Sequence, residues 1–304
     1  MAVTPAAPQH RNRTLCSPWI PVLTLVLFVV LGGLFWQHLE KRELQHAEQL
    51  LAREGKVAVD TLGRELRDQI QALQRMAHRR AQNPDLTEDR WRADARLYLQ
   101  HMQNYQALEW VDNRFFIRWI EPPIGNESAQ DFNVAFNPTR QRALERAART
   151  GEVDFSGVIQ LQQGGLGMVV YCPIGKGAAF NGFIAAVFRL DTLFSSLLSV
   201  ESRAGFRWNL REHGDIRFDL QPKDALASQL RYQQPIDVFG LGWTLEAIPT
   251  QAWLADKRGG QGVIAFTLWS VTGILLAVLV HLGQTMLRRQ EDLLAARLAL
   301  REEQ

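Results

Sequence analysis

Cysteine is scarce in this chain, which has only Cys16 and Cys172 among its 304 residues. The rest of the sequence places the two residues on opposite sides of a membrane, with Cys172 within a predicted strand. We therefore predict neither a disulfide nor a cysteine-based metal site. Each is interpreted as a small apolar residue, which is the usual role of an isolated cysteine.

The chain also lacks a marked excess of charge. Its 34 basic and 32 acidic residues leave a formal net charge of +2, and they are mixed along the sequence. A nucleic-acid-binding protein would show a dominant basic face, so we expect no nucleic-acid partner. The apolar fraction of 46% is enough for a substantial core, and the length exceeds that of one ordinary domain.

Motifs for catalysis and metal binding are missing as well. There is no G-x-x-x-x-G-K-[ST] phosphate loop, no H-E-x-x-H zinc motif and no cysteine pair with metal-ligand spacing. The run Gly164-Gly165-Leu166-Gly167 lies between two predicted strands and opens no helix, so it predicts a hairpin turn and not a phosphate site. We predict no catalytic residue, metal or cofactor here, and an enzyme within this chain is the least favoured alternative.

The chain does contain two long runs without charged residues, 19–36 and 263–280, each of 18 residues. At about 1.5 Å per residue, such a run with a few flanking residues reaches the ~30 Å of a bilayer core. We predict membrane-spanning helices at residues 19–38 and 262–282. A cleaved signal peptide is the alternative for the first run, but its apolar region would be about 7–15 residues long and would end in small residues.

Basic residues near the two spans indicate how the chain crosses the membrane. Arg11 and Arg13 lie in a short leader, residues 1–18, without acidic residues, and a second basic pair follows at residues 288–289. This bias favours a cytoplasmic location for both termini, although basic pairs also flank the outer ends of the spans. We therefore place residues 39–258 in the periplasm of a two-pass protein of the bacterial inner membrane.

The segment after the first span has the periodicity of a long amphipathic helix. Apolar residues are spaced three or four apart, which puts them on one face. They are Val59, Leu62, Leu66, Ile70, Leu73 and Ala77. Asn83-Pro84 ends the run, because proline disfavours helix in the residue before it.

Short strand-like runs follow, and their order indicates the fold class. Between residues 108 and 190 they are interrupted by one helix, with Asn137 as the N-cap and Gly151 after its end. A second, smaller set lies between residues 206 and 248, with a predicted tight turn at His213-Gly214. We predict an α+β fold with two antiparallel-sheet subdomains, at about 83–190 and 191–257.

Leucines after the second span are spaced like the start of a coiled coil. Leu287, Leu294 and Leu298 lie 7 and 4 residues apart, with arginine and glutamate between them. Residues 283–304 are therefore interpreted as a cytoplasmic signalling helix that pairs two copies. The helix reaches Gln304 without a stop signal, so we expect a connector to an output domain that this chain does not include.

Several short sequence segments occur in a fixed order. Together they form a fairly specific pattern, although each segment alone would be weak evidence for a family. They are LEWV at 108–111, Glu121-Pro122, GNE at 125–127, NP at 137–138 with Arg140, Ala143 and Leu144, Thr150-Gly151, GGLGMVVYCP at 164–173 and GFIAAVFR at 182–189. This set resembles the CHASE family, the extracellular sensory domain of many cyclases and histidine kinases.

The resemblance implies a long helix that carries two PAS-like units, with a small ligand bound in the membrane-distal unit. It also implies a homodimer that signals through the second span to a histidine kinase, a diguanylate cyclase or a related output. The hairpin at residues 162–167 is short and rich in glycine, so the rim of the pocket differs from that of better-known members. The resemblance does not identify the ligand.

Polar residues expected to point inward from the distal sheet are the candidates for ligand contacts. A small-molecule pocket is mostly apolar, with a few polar groups that orient the ligand. Our candidates are Trp119, Glu121, Asn133, Ser156 and Tyr171.

Glu121 is the most informative of these candidates. Strand alternation places Phe115, Ile117, Trp119 and Glu121 on one face, which makes a carboxylate on an otherwise apolar face unusual. It is expected to pair with a cationic or hydrogen-bonding ligand, to pair with an arginine such as Arg118 or Arg140, or to end the strand in water. Tyr171 is placed in the core or in the pocket.

Together these features predict a dimeric transmembrane sensor of a small periplasmic ligand, with a histidine kinase favoured as the output and a cyclase or phosphodiesterase next. The alternative is a membrane-tethered module that docks a protein or senses the envelope without a small ligand.

Overall fold

The computed structural model describes residues 19–102, 104–136, 138–162, 164–227, 229–258 and 260–302. These residues form two compact units: a terminal unit made of both chain ends, and a central unit, Glu48–Asp256. The predicted leader with Arg11, Arg13 and Cys16, and the predicted N-cap Asn137, lie outside the described residues.

The elements alternate between helices and short strands. The α-helices are α1 (Trp19–Gln82), α2 (Glu88–His101), α3 (Pro138–Thr150), α4 (Leu190–Leu197), α5 (Val200–Gly205), α6 (Gln251–Arg258) and α7 (Gln261–Glu302). The strands are β1 (Tyr105–Val111), β2 (Ile117–Glu121), β3 (Asp154–Gln160), β4 (Leu166–Pro173), β5 (Phe183–Arg189), β6 (Phe206–Glu212), β7 (Asp215–Leu220), β8 (Tyr232–Ile236) and β9 (Trp243–Pro249). The predicted α+β class is confirmed.

Two helices of the chain, α1 and α7, are long and apolar enough to cross a membrane. Their apolar side chains point outward, as those of Leu23 and Leu279 do, which are exposed in the structure. A helix whose apolar residues remain exposed in a protein needs an apolar solvent around it, which a bilayer supplies. The predicted long apolar helices near both ends are therefore present.

Within the terminal unit, α1 and α7 pack through aromatic rings set against glycines. Trp269 lies so close to Gly32 that a Cβ there would be 2.7 Å from its ring, and a Cβ at Gly273 would be 2.9 Å from the Cβ of Phe28. The indole Nε1–H of Trp269 donates a hydrogen bond to the carbonyl oxygen of Phe28 at 2.9 Å. Small residues that admit a neighbouring helix are the usual basis of helix pairing in membranes.

The central unit contains a first sheet with strand order β2-β1-β5-β4-β3, in which all neighbours are antiparallel. One face packs against α1 and α2. The predicted apolar stripe of α1 is confirmed, because Leu66, Ile70 and Leu73 are fully buried. The free Cys172 of β4 is also buried, in agreement with its interpretation as a small core residue.

A second sheet, with strand order β7-β6-β9-β8, completes the central unit. The predicted turn at His213-Gly214 joins β6 to β7, and both residues have positive φ angles, 53° and 90°. Two central residues with positive φ are what a tight hairpin turn requires. The glycine-rich run also lies in a hairpin, since Gly164 and Gly165 separate β3 from β4.

We expect the packing of α1 on α7 to be detectable by cross-linking. A Cβ at Gly273 would lie 2.9 Å from the Cβ of Phe28, near the separation of about 3.5–4.5 Å that a disulfide requires. In a background without the two native cysteines, Phe28→Cys with Gly273→Cys should form an intramolecular disulfide, visible as a mobility shift on non-reducing gels.

The control for this pair is Val29→Cys with Gly273→Cys. Val29 is the next residue along α1, and its side chain is exposed. Equal cross-linking of the control pair would contradict this helix packing.

Candidate functional site

The face of the first sheet that turns away from α1 carries a row of three residues. Glu109 in β1 lies opposite Ala185 in β5, and Ala185 lies opposite Tyr171 in β4. Directly opposite residues of antiparallel strands share a face. The short side chain of Ala185 therefore lies between a carboxyl group and a phenol on this face.

Arg140 approaches this row from the first turn of α3. Its guanidinium carbon lies 5.0 Å from the centroid of the Phe136 ring, and the residue is only 5% exposed. Burial raises the pKa of the Glu109 carboxyl to about 7, and the positive charge of Arg140 opposes that increase. A carboxyl group and a guanidinium therefore lie together in an apolar interior, where the ionised carboxyl would interact strongly with Arg140.

Tyr171 is fully buried beside these two residues, and among the described residues its hydroxyl has no hydrogen-bond partner. Burial raises the pKa of its phenol, Arg140 acts to lower that pKa, and Glu109 acts to raise it. Buried polar groups in folded proteins nearly always have a partner. The free hydroxyl is therefore available to a water molecule or to a ligand.

A small cavity with a volume of about 20 Å³ lies at this site. Its polar lining consists of Glu109, Arg140 and Gln162, and its apolar lining comes from the strands and from the segment between β2 and α3. The apolar residues are Ile117, Ala129, Phe132, Val134, Leu161, Val169 and Val187. This volume holds about one water molecule. Any larger ligand must therefore displace the segment before α3 or α3 itself.

Four of the five predicted ligand contacts lie elsewhere. The prediction that Phe115, Ile117, Trp119 and Glu121 all share a face is wrong: Trp119 and Glu121 do, but Phe115 and Ile117 lie on the other face. The pairing of β1 with β2 is irregular, because Trp110 pairs with Trp119 but Val111 pairs with Ile117. Such a bulge adds one residue and reverses the alternation. Ile117 therefore joins the core on the cavity side.

Trp119 instead packs on the helix-covered face, with ring centroids 4.3 Å from Trp110 and 5.8 Å from Trp91. Glu121 is buried there as well. Its carboxylate accepts hydrogen bonds from Arg96 Nε at 2.9 Å and from Arg92 Nη1 at 3.3 Å. The alternative in which Glu121 pairs with arginines of the chain is thus observed, but its partners come from α2 and are not Arg118 or Arg140.

Asn133 and Ser156 hold backbone in place. The Asn133 side-chain oxygen accepts a hydrogen bond from the N–H of Ala135 at 2.8 Å. The Ser156 hydroxyl donates to the carbonyl of Gly157 at 2.8 Å and accepts from the N–H of Val169 at 2.9 Å. Tyr171 is buried close to Glu109 and Arg140, but it does not line the cavity.

Sequence reasoning missed Glu109 and Arg140 as site residues. The available indication was a glutamate inside the apolar strand Leu108-Glu109-Trp110-Val111, where a charge must either reach water or be buried with a partner. Within the described ranges, no group of three or more histidine, cysteine, aspartate and glutamate side chains could hold a metal ion.

A family model for the CHASE domain matches residues 57–218, which is more than half of the 304-residue chain. The chain belongs to the CHASE domain family. The matched range contains the whole first sheet with Glu109, Arg140 and Tyr171, and it ends within β7. As a member of this family the chain has an extracellular sensor domain. With its two apolar helices, it is a membrane protein with that domain outside.

Solved structures share the fold of this CHASE chain. The ligand-binding domain of the Pseudomonas aeruginosa PAO1 amino acid chemoreceptor PctB in complex with L-Gln has a TM-score of 0.51 and 14% identity, covering 69% of this chain and 92% of that chain. The ligand-binding domain of the Pseudomonas fluorescens chemoreceptor CtaA in complex with L-serine has a TM-score of 0.51 and 15% identity, covering 68% and 99%.

An extracellular ligand binding receptor from Desulfohalobium retbaense has a TM-score of 0.47 and 15% identity, covering 63% of this chain and 39% of that chain. Identities this low show a common fold alone. None of the curated proteins compared with this chain matches it.

The raised pKa of Glu109 predicts a pH-dependent stability. The folded protein holds the carboxyl proton up to about pH 7, whereas the unfolded chain releases it near the ordinary value of 4.5. The free energy of unfolding should therefore fall as the pH rises from 4.5 to 7, by roughly 3 kcal/mol at about 1.4 kcal/mol per pKa unit. Glu109→Gln should remove this fall, as measured by urea unfolding of the detergent-solubilised chain across that range.

The control is Glu152→Gln, which changes an exposed glutamate just after α3. It should retain the pH dependence of the unchanged protein. An undiminished slope in Glu109→Gln would show that another group causes the pH dependence.

Proposed function

We propose that this chain is the sensory part of a membrane receptor, and that the cavity at Glu109 and Arg140 binds a small extracellular ligand with both an ammonium and a carboxylate group. The observation that carries the proposal is the buried carboxyl of Glu109 and guanidinium of Arg140 in a cavity whose remaining lining, apart from Gln162, is apolar. A free amino acid is the simplest compound of this class.

Each polar group at the cavity suits one part of such a ligand. The guanidinium of Arg140 presents two parallel donors that match a carboxylate. Glu109 can accept hydrogen bonds from an ammonium group, whose charge favours the ionised carboxyl. The Tyr171 hydroxyl, buried nearby without a partner among the described residues, would offer a further hydrogen bond to a ligand once the cavity enlarges. The structurally similar PctB and CtaA domains are described in complex with L-Gln and L-serine, which supports this ligand class.

The other predicted contacts take supporting roles in this proposal. Trp119 and Glu121 fix β2 against α2, while Ser156 and Asn133 shape the backbone next to the cavity. Entry of an amino acid requires the cavity to enlarge. The segment before α3 closes the cavity through Phe132 and Val134, so this enlargement would have to break the backbone hydrogen bonds that join the segment to Phe115 and Ile117.

The binding proposal is tested by thermal unfolding of the full chain in detergent with each of the twenty L-amino acids and with γ-aminobutyrate. A ligand at 100 times its dissociation constant adds about 2.7 kcal/mol to the free energy of unfolding, which gives a clear shift of the midpoint. Arg140→Met should weaken binding at least about thirtyfold by calorimetry, because loss of one buried charge partner costs about 2–5 kcal/mol.

Arg149→Met is the matched control, because it makes the same change at an exposed position of the same helix. It should bind as tightly as the unchanged chain. N-acetyl and amide derivatives of the ligand should both fail to bind, since each removes one charge. Unaltered affinity in Arg140→Met would refute the assignment of this cavity.

The small cavity volume favours a second candidate, a membrane-tethered module that docks a protein or senses the envelope. About 20 Å³ is far below the several hundred Å³ typical of small-molecule sites. The segment between β2 and α3 also exposes Ile124 and Phe136, which are 84% and 57% exposed. A cooperatively folded chain whose midpoint no small molecule shifts would favour this candidate.

We further propose a two-pass protein of the bacterial inner membrane with both termini in the cytoplasm and residues 39–258 in the periplasm. Two copies would pair through α1 and through the leucines near the end of α7, where Leu287, Leu294 and Leu298 are all exposed. The signal would pass to a cytoplasmic histidine kinase or, as the next choice, a diguanylate cyclase or phosphodiesterase.

Reporter fusions test this topology. An enzyme that is active only outside the cytoplasm should be active when inserted near Gly175, in the turn after β4, and inactive when fused after Gln304. A fluorescent protein that matures only in the cytoplasm should give the opposite result. If the enzyme were active only after Gln304 and the fluorescent protein only near Gly175, the orientation would be the reverse of the one proposed.

A further inference from the structure

Strand β3 is an edge strand of the first sheet, and the backbone N–H and C=O of one of its residues form hydrogen bonds with side chains of the second sheet. An edge strand presents N–H and C=O groups without a neighbouring strand. At Val158 the N–H donates a hydrogen bond to Glu212 Oε2 at 3.2 Å, and the carbonyl accepts one from Arg217 Nη2 at 3.4 Å. A carboxylate and a guanidinium thus take the place of the missing strand.

These two side chains are held in the second sheet. Glu212 is the last residue of β6, and its side chain is 9% exposed. Its Oε1 accepts a hydrogen bond from the indole Nε1–H of Trp243, the first residue of β9, at 2.9 Å. Its Oε2 lies 3.8 Å from Nε of Arg217 in β7. One carboxylate therefore connects β3 of the first sheet with β6, β7 and β9 of the second.

The backbone of β3 is shaped for this contact. The pairing of β3 with β4 is irregular between Phe155 and Val158, and Gly157 within it has a φ of +69°. A Cβ at Gly157 would lie 3.1 and 3.2 Å from the two carboxylate oxygens of Glu212. Glycine therefore permits both the left-handed backbone and the close approach of Glu212.

The same part of β3 lies next to the proposed ligand cavity. Ile159 packs against the core cluster that contains Tyr171. Val158, Ile159 and Arg140 also line one open groove. On the other side, Trp243 begins β9, the strand that leads to α6 and then to α7. A shift of α3 or β3 therefore reaches β9 through Val158, Glu212 and Trp243.

We propose that Glu212 and Arg217, bound to Val158, form a clasp that couples the state of the cavity in the first sheet to the second sheet. The inference rests on the proposed ligand site as the source of the movement. When the cavity changes its charge or its occupant, β3 moves, and the clasp passes the movement to β9. Without the clasp the cavity still changes, but β9 does not respond.

The test uses hydrogen exchange in the full chain in lipid nanodiscs and needs no ligand. Glu109→Gln serves as the probe, because it alters the charge of the cavity and lies far from the clasp in sequence. Glu212→Gln keeps the side-chain size but loses the charge and one acceptor. It should speed exchange of the Val158 N–H about tenfold, the size of effect expected for one charge-assisted hydrogen bond.

The coupling itself is measured as a double-mutant comparison. Glu109→Gln should change exchange in β9 several-fold in the otherwise unchanged chain and should not change it in the Glu212→Gln background. Arg217→Met, at a half-exposed position, provides a second break of the clasp that leaves Glu212 in place. Glu201→Gln, at an exposed position in α5, is the control and should leave the coupling intact.

Three results would overturn the clasp: unchanged exchange at Val158 in Glu212→Gln, no effect of Glu109→Gln on β9, or an effect that persists in both clasp variants. If only the ligand proposal fails, the results differ: no amino acid binds, but Glu109→Gln still changes exchange in β9. If an amino acid binds in a way that depends on Arg140, but Glu109→Gln does not change exchange in β9, the clasp proposal fails and the ligand proposal stands.

Discussion

Both sheets of the central unit depend on one helix, α1, to keep a face away from water. Leu66, Ile70 and Leu73 are fully buried beneath the first sheet, and each such side chain contributes about 1.5–3 kcal/mol on burial. Farther toward the N-terminus, Gly55 lies against Tyr232 of β8, and Gly63 lies against Ile236 of β8 and against Val238 just after it. Neither sheet can bury this face alone, so the two sheets share α1 as a common support.

Because α1 and α2 occupy one face of the first sheet, its other face is available for polar chemistry. Burying a carboxylate such as Glu109 there costs stability, and only part of that cost is offset by Arg140. By contrast, Glu121, on the helix-covered face, is fully engaged by Arg92 and Arg96. The two buried glutamates thus differ in their surroundings: Glu121 accepts hydrogen bonds from two arginines, whereas Glu109 lies in an apolar environment with Arg140 as the nearby opposite charge.

Local patterns predicted much of this architecture. The stripe of α1, the apolar helices and the turn at His213-Gly214 depend on residues close in sequence, whose periodicity or φ preference acts directly. The faces of β2 could not be predicted in this way, because the bulge opposite Trp110 arises from pairing between strands. Glu109 was missed for a related reason, since alternation places residues on two faces without showing which face a helix will cover. Tyr171, predicted to lie in the core or in the pocket, is a fully buried member of the core cluster, and its role as a ligand contact stays a prediction.

The identity of the residue at position 185 affects the candidate site. It lies between Glu109 and Tyr171 in the row across β1, β5 and β4, and it is fully buried. A larger side chain there would change the spacing between the carboxyl and the phenol without altering strand pairing, since β-branched residues suit the middle of a sheet. One substitution at this position can therefore alter the surroundings of both groups, while the support from α1 and the link to the second sheet stay unchanged.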